Sequence, residues 1–317
     1  MSSAPITVVT GASGFLGSAV VRHLVAAGRP VRALSRIARE DQPGVEWVRG
    51  DIALRASLAG LVPDGALVIH AGASLHGDPA LVRRSIVDGT ANVAELVGNA
   101  GGRMAHVSSL AVISPELTSS RRELDEHAEL DPSPQLRGVY SQAKSAAEQV
   151  VRDGIAHELD AVILRPGQLV GSGLGSVPPS CGIRVAGLRV LLGSGHGTIP
   201  VVHVDDAAEG IILLADRAER GETVHLVDPG RVERLALLRA MRRAGVPGSG
   251  APVLPAVLAA RVLARIGPAA AHRLAALDSQ ATWSASRAIL MGWKPSRLEY
   301  WLSSGMDAPS DKQGAGR

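Results

Sequence analysis

Aromatic side chains are scarce in this chain of 317 residues: it holds one Phe, two Tyr and four Trp. Its core must therefore be assembled from Val, Leu, Ile and Ala, and a patterned tyrosine such as Tyr140 is read as more than packing. Cysteine is nearly absent as well. The single Cys181 excludes an intramolecular disulfide and any Cys-rich metal centre. Ten histidines are present, none in an HExxH or comparable ligand spacing, so no metal is expected. Long apolar runs are missing too. The N-terminus enters a strand pattern without a basic start or an extended apolar segment. The most apolar C-terminal stretch, 251–277, is broken by Pro255, Arg261, Arg265, Pro268, His272 and Arg273. No bilayer span is expected there, and the cytosol is the expected compartment. The formal charge is only +3, and Lys and Arg are spread out apart from short pairs such as Arg83-Arg84 and Arg121-Arg122. Nucleic acid is therefore not an expected partner.

What is present alternates. Short β-rich runs fall at Ile6–Thr10, Val31–Leu34, Val45–Arg49, Leu67–His70, Met104–Val107, Ala161–Leu164, Ile199–Val204 and Thr223–Val227. Helical periodicity lies between them, notably around Leu16–Val25, over Asp88–Asn99 and Tyr140–His157, and over Asp205–Arg217. Such alternation predicts an α/β fold with a doubly wound parallel sheet, covered by helices on both faces. After Arg165-Pro166 the composition shifts to Gly, Pro and Ser. Residues 1–170 and 200–227 are thus expected to form the dinucleotide-binding domain. Residues 171–199 and 228–305 are expected to form a smaller, discontinuous C-terminal substrate lobe, with 306–317 as a disordered tail.

Three constellations carry chemistry. Thr10-Gly11-Ala12-Ser13-Gly14-Phe15-Leu16-Gly17 places glycines three apart between a strand and a helix. That arrangement allows a tight turn, close backbone approach to a pyrophosphate, and phosphate binding at the positive end of the helix. The next strand ends at Ser35-Arg36 with no acid from 31 to 35, and Arg39 follows. An Arg there suits a 2′-phosphate, so NADP is expected, with NAD left open. Asp51 and Ile52 after the third strand are placed to meet the adenine. Ala71, Gly72 and Ala73 after the fourth are placed to pass beneath the ribose. Lastly, Ser108-Ser109 closes the fifth strand, and Tyr140 and Lys144 lie four residues apart on the helix that follows, about 40° apart on one face. A Ser hydroxyl can hold a carbonyl oxygen and a Tyr can protonate it. A neighbouring Lys favours the phenolate and would bring a phenol with an ordinary pKa of about 10 nearer neutrality.

With these pieces in order, the chain resembles the extended short-chain dehydrogenase/reductase family over residues 4–300. TGASGFLG, Asp51, VIHAGA, VDGTANV, HVSSLAV, YSQAK with AAEQVV after it, LRPGQLVG, PVVHVDDAAEG and MGWKP carry the likeness. The resemblance implies a Rossmann domain with a C-terminal substrate lobe, and a catalytic triad at Ser109, Tyr140 and Lys144, with Ser108 beside it. It also implies closure of backbone over the nicotinamide at Pro166 and Gly167. Dehydratases of the family carry Asp-Glu where this chain has Leu110 and Ala111. Its epimerases usually carry Asn and Tyr where this chain has Gln168 and Ile113, and Ile86 replaces the usual Asn of NVxGT. Between Arg165 and His203 only Arg184 and Arg189 are charged, which suits an apolar substrate better than a nucleotide diphosphate. The expected function is an NADP(H)-dependent oxidoreductase, a ketoreductase acting on a mainly apolar ketone or secondary alcohol. The alternatives are a nucleotide-sugar epimerase with retained NAD and a non-catalytic NADP(H)-sensing regulator. The resemblance also suggests a homodimer formed through the helix bearing Tyr140 and its neighbour.

Overall fold

The computed structural model describes residues 5–73, 78–114, 117, 122–178, 181, 183–185, 188–190, 197–250 and 279–307. Seven strands form its central sheet: β1 (Thr7–Thr10), β2 (Val31–Ser35), β3 (Val45–Arg49), β4 (Leu67–His70), β5 (Arg103–Val107), β6 (Asp160–Pro166) and β7 (Thr223–Leu226). Every pairing is parallel, in the order β7-β6-β5-β4-β1-β2-β3. Parallel strands need crossovers, the crossovers cover both faces, and the strands therefore read as near-continuous apolar runs. The chain steps outward from β1 to β3, then returns to lay β4 on the other side of β1. Connections leave β1 and β4 in opposite directions, which opens a crevice at their carboxyl ends. Thr10 and His70 stand on its lip, paired in register.

Successive side chains of a strand face opposite ways, and the two faces have separate cores. Val9, Ile69, Ala105 and Leu164 pack under α1 (Phe15–Ala26) and a later helix, Val204–Arg217. Val8, Val68, Met104 and Ile163 pack under α2 (Gly89–Asn99) and α3 (Val139–Ala156). A third cluster joins Val170, Cys181, Val201, Leu237, Met241 and Trp301. Among the described residues no helix is long and apolar enough to cross a membrane.

Three local expectations are revised. The helix expected from Asp88 begins earlier, at Pro79–Arg83, and passes through a π-helical stretch, Arg84–Asp88, into α2. Asp78 caps it by accepting from the Ala80 N–H at 2.9 Å, with proline in the first turn, a start signal that the apolar periodicity hid. The strand expected at Ile199–Val204 is Val201–His203, and it pairs with Gln168–Val170 outside the main sheet. Asp307, expected in a disordered tail, accepts from the Ser172 N–H at 3.0 Å and meets His203 Nε2 at 2.9 Å. Residues 251–278, expected in the substrate lobe, and 308–317 lie outside the described residues.

The approach of α1 to β1 is limiting. A Cβ on Gly17 would lie 2.1 Å from the Gly11 carbonyl oxygen, a backbone atom that cannot swing aside. Gly17→Ala is expected to cost about 1–3 kcal/mol by overpacking. Thermal unfolding should show a melting temperature several degrees lower, and dinucleotide titration a weakened affinity.

Candidate active site

The glycine turn is built to be open. Gly11 adopts φ +68, and a Cβ on it would stand 2.6 Å from the Ala71 carbonyl oxygen, so β1 and the segment after β4 touch backbone to backbone. Gly14 caps α1 with no side-chain hydrogen bond, and the first turn holds no acid. Ser13 and Gly14 are exposed and Phe15 is half-buried, whereas Leu16 packs into the core. The positive end of α1 therefore faces solvent without an internal anion competing for it, a fit for a pyrophosphate.

The remaining sequence-predicted cofactor residues lie at or just past the carboxyl ends of their strands. Ser35 is buried, and its hydroxyl accepts from the Ile37 N–H at 3.3 Å. Arg36 is exposed, while Arg39 lies with its guanidinium 4.9 Å from the Trp47 ring centre. The Asp51 carboxylate accepts from the Ala53 N–H at 2.9 Å, and the Ile52 carbonyl accepts from Asn92 Nδ2 at 2.8 Å. A Cβ on Gly72 would meet Ile52 at 2.9 Å, so these two segments are in contact, and Ala73 continues beside them half-buried. Past Pro166, the Gly167 N–H donates to the Leu226 carbonyl at 2.9 Å. A Cβ at 167 would lie 2.9 Å from the Pro200 oxygen, which leaves no room for a side chain.

Ser109, Tyr140 and Lys144 come together at the carboxyl end of β5. Ser109 caps a single 3-10 turn, Leu110–Val112, where its Oγ accepts from the Ala111 N–H at 3.1 Å. Gly138, at φ 107, starts α3 in a conformation that other residues avoid, and this brings Tyr140 to face Ser109. Burial pushes the Tyr140 phenol above its ordinary value, and its side-chain hydrogen bond with Ser109 pulls it back in part. The net direction is opposite to the expected lowering by Lys144. The ammonium is turned instead to the Val107 carbonyl, 2.8 Å from Nζ. Burial brings Lys144 itself down to about 8, against the charge of Glu148, which raises it. Lys144 is one of only three lysines among 33 basic Lys and Arg residues. An arginine in its place could neither titrate near neutrality nor present so compact a charge.

Two features escaped the sequence reading. Thr90 donates to the Ile86 carbonyl at 2.6 Å, so its oxygen accepts from His70 Nε2 at 3.0 Å, and His70 Nδ1 in turn accepts from the Thr10 hydroxyl at 2.7 Å. This chain of partners sets the tautomer. Burial, then the Lys144 charge, holds His70 at about 3, so the ring is neutral. His106 stacks on it, ring centres 5.6 Å apart. The signal was a histidine at equivalent strand-end positions in VIHAGA and HVSS. The second feature is Glu148, one turn beyond Lys144 and fully buried. It accepts from Ser108 Oγ at 2.6 Å, from Arg165 at 2.6 and 3.1 Å, and from Arg152 at 2.9 Å. Although burial pushes the other way, Arg165, Ser108 and Arg152 hold its carboxyl below the usual range.

Glu148→Gln leaves Arg165 buried without its counter-charge, and a loss of about 3–5 kcal/mol is expected in equilibrium unfolding at neutral pH. Because the folded carboxyl is held below 4.5, its contribution is complete above that pH and is lost as pH falls through the depressed value. The stability gap between the parent and Glu148→Gln should therefore narrow in acid. A gap independent of pH would contradict this account.

Comparison with known proteins agrees with this fold. The sequence model of the NAD dependent epimerase/dehydratase family matches residues 7–228. The chain is 31% identical over 242 residues to a Stigmatella aurantiaca 4-hydroxy-2-methyl-3-oxo-4-farnesyl-3,4-dihydroquinoline-1-oxide ketoreductase, covering 73% of this chain and 71% of that one. It is 30% identical to a Streptomyces 3-diazoavenalumate denitrifying reductase, covering 98% of each. The crystal structure of gox2253 is similar at a TM-score of 0.75 and 26% identity, covering 95% of this chain and 96% of that one. The glycine turn, the doubly wound sheet and these likenesses together make the chain a member of the NAD dependent epimerase/dehydratase family, the extended short-chain dehydrogenase/reductases.

Proposed function

We propose that the protein is an NADP(H)-dependent ketoreductase that interconverts a mainly apolar ketone and its secondary alcohol. The observation that carries this reading is the convergence of Ser109, Tyr140 and Lys144 in a chain whose glycine turn keeps Ser13 and Gly14 exposed. Residues 1–170 and 200–227 would hold the cofactor, and 171–199 with 228–305 the substrate. The reductase names of the two relatives support reduction over epimerisation. So do Leu110 and Ala111, which offer no acid–base pair for dehydration.

A bound nicotinamide supplies or accepts the hydride. The chain's own residues handle the oxygen and its proton. Ser109 Oγ accepts from the Ala111 N–H, which leaves its own proton free to turn from the Tyr140 oxygen to a substrate carbonyl oxygen. Tyr140, kept protonated by burial, gives its proton to that oxygen as negative charge develops. Lys144 has three N–H donors, of which Val107 engages one among the described residues; the other two would be available to the hydroxyls of a cofactor ribose. Arg36, exposed at the end of β2 with no acid beside it on that strand, would take a 2′-phosphate.

A panel of ketones assayed by NADPH oxidation beside an NADH control tests the reading. Tyr140→Phe should reduce kcat by ~10²–10⁴-fold with NADPH affinity nearly unchanged. Wild-type turnover in that variant would remove Tyr140 as the acid. Arg36→Ala should weaken NADPH about tenfold or more and leave NADH unaffected, and equal losses for both cofactors would remove the 2′-phosphate contact. Tightly retained NAD with no net turnover, together with thermal protection by a nucleotide sugar, would overturn the ketoreductase reading in favour of an epimerase.

A further inference from the structure

Arg137 lies three residues before Tyr140, at the end of a single 3-10 turn, Pro134–Arg137. Its Nη1 crosses to another part of the chain and donates to two carbonyl oxygens, those of Ala111 and Ile113, both at 2.8 Å. Ala111 is the residue whose N–H donates to Ser109 Oγ. One peptide unit on each side of Ala111 is therefore held, by the guanidinium at its carbonyl and by the serine hydroxyl at its N–H. The loop closes on itself: Arg137 holds Ala111, Ala111 holds Ser109, Ser109 faces Tyr140, and Tyr140 shares a chain segment with Arg137.

The surroundings make this a clamp rather than a surface contact. The Asp131 N–H donates to the Val112 carbonyl at 2.8 Å, the Ser114 N–H donates to that of Glu129 at 3.0 Å, and Ile113 and Leu130 form an isolated bridge between the two segments. The Arg137 side chain is only 18% exposed, and the nearest carboxylate, Asp131, is 3.9 Å away. The close contacts of the guanidinium are thus neutral carbonyls. Its planar fork offers fixed, divergent N–H groups, which a lysine ammonium does not reproduce.

We propose that Arg137 is a positioning residue for the reaction: it grips the turn after Ser109 by its carbonyls, and so fixes where the Ser109 hydroxyl stands and which way its proton points relative to Tyr140. The proposal rests on the reading of Ser109 and Tyr140 above, and its test separates the two. The chain has two tyrosines, Tyr140 and Tyr300. In a Tyr300→Phe parent carrying 3-fluorotyrosine, one fluorine resonance reports ionisation of the phenol at 140, with no substrate needed. Apart from the guanidinium at 137, which Arg137→Lys replaces with another cation and Arg137→Gln removes, the charged groups around this site, Lys144 and Glu148 on α3, Arg165 on β6 and Asp131 in the clamp, are common to every variant compared. The neutral imidazoles of His70 and His106 on β4 and β5 are also unchanged.

Ser109→Ala should raise the midpoint by about half a pH unit or more, because a donor to the phenolate is lost. Arg137→Lys, which retains the cation, should raise it in the same direction, and Arg137→Gln should do so at least as much. Combining Arg137→Lys with Ser109→Ala should add nothing to Ser109→Ala alone. With a ketone that turns over, Arg137→Lys should lower kcat about tenfold or more while NADPH affinity holds, an outcome that a merely structural role would not produce in folded protein. Unchanged midpoints in both Arg137 variants, or shifts that sum in the double variant, would overturn the proposal. An unmoved midpoint in Ser109→Ala would overturn the reading of Ser109 with Tyr140, and the proposal with it.

Discussion

A single carboxylate with no exposed surface, that of Glu148, holds the candidate active edge together. It is reached by Ser108 just past β5, by Nε and Nη2 of Arg165 on β6, and by Arg152 one turn along its own helix. A buried charge is tolerated only when its lone pairs are matched, and losing a partner costs several kcal/mol. Neither α3 nor the strand ends can therefore slide past one another without breaking this cluster. Lys144 and Tyr140 precede Glu148 by four and eight residues on the same helix, so the height at which Glu148 locks also sets where the amine meets the Val107 carbonyl and the phenol meets Ser109. The interaction lies one layer beneath the candidate trio, and the geometry of that trio depends on it.

Polar groups line the same face of the sheet beside that cluster. Thr10, His70 and His106 stand in register across β1, β4 and β5, and Thr90 reaches in from α2. Both histidines are kept neutral by burial, so neither adds a cation beneath Lys144. Burial also weakens the hold of Lys144 on its own proton. A chain that takes nearly all its cations from arginine places one of its three lysines where a titratable, three-donor group fits.

The sequence reading and the structure agree where the physics is local. The turn from Thr10 to Gly17 was legible because glycine spacing, strand ending and helix start all fall within eight residues, and a backbone that must approach another backbone admits no side chain. The strands were legible because parallel strands buried on both faces leave unbroken Val, Ile and Ala runs. Periodicity misplaced the start of the helix before α2, where Asp78 and Pro79 outrank the apolar pattern. It also assigned 199–204 to a strand without indicating that its partner is Gln168–Val170 rather than the main sheet. The sign of the Tyr140 shift was missed for a related reason. Spacing along a helix brings a lysine near a phenol, but it says nothing of how much water the phenol loses or which carbonyl the amine prefers.

By itself, the sequence determined the alternation of strand and helix and the glycine turn, and it singled out Ser109, Tyr140 and Lys144 as candidates, because each depends on residues close together or on side-chain types that have few other uses. Only the tertiary structure decided that Glu148, Arg165 and Ser108 share one buried charge, that His70 is locked between Thr10 and Thr90, and that Arg137 grips the turn after Ser109. Those contacts join residues 17 to 60 positions apart. Their energies come from desolvation and hydrogen-bond matching, which exist only after the sheet and its helices have closed over them.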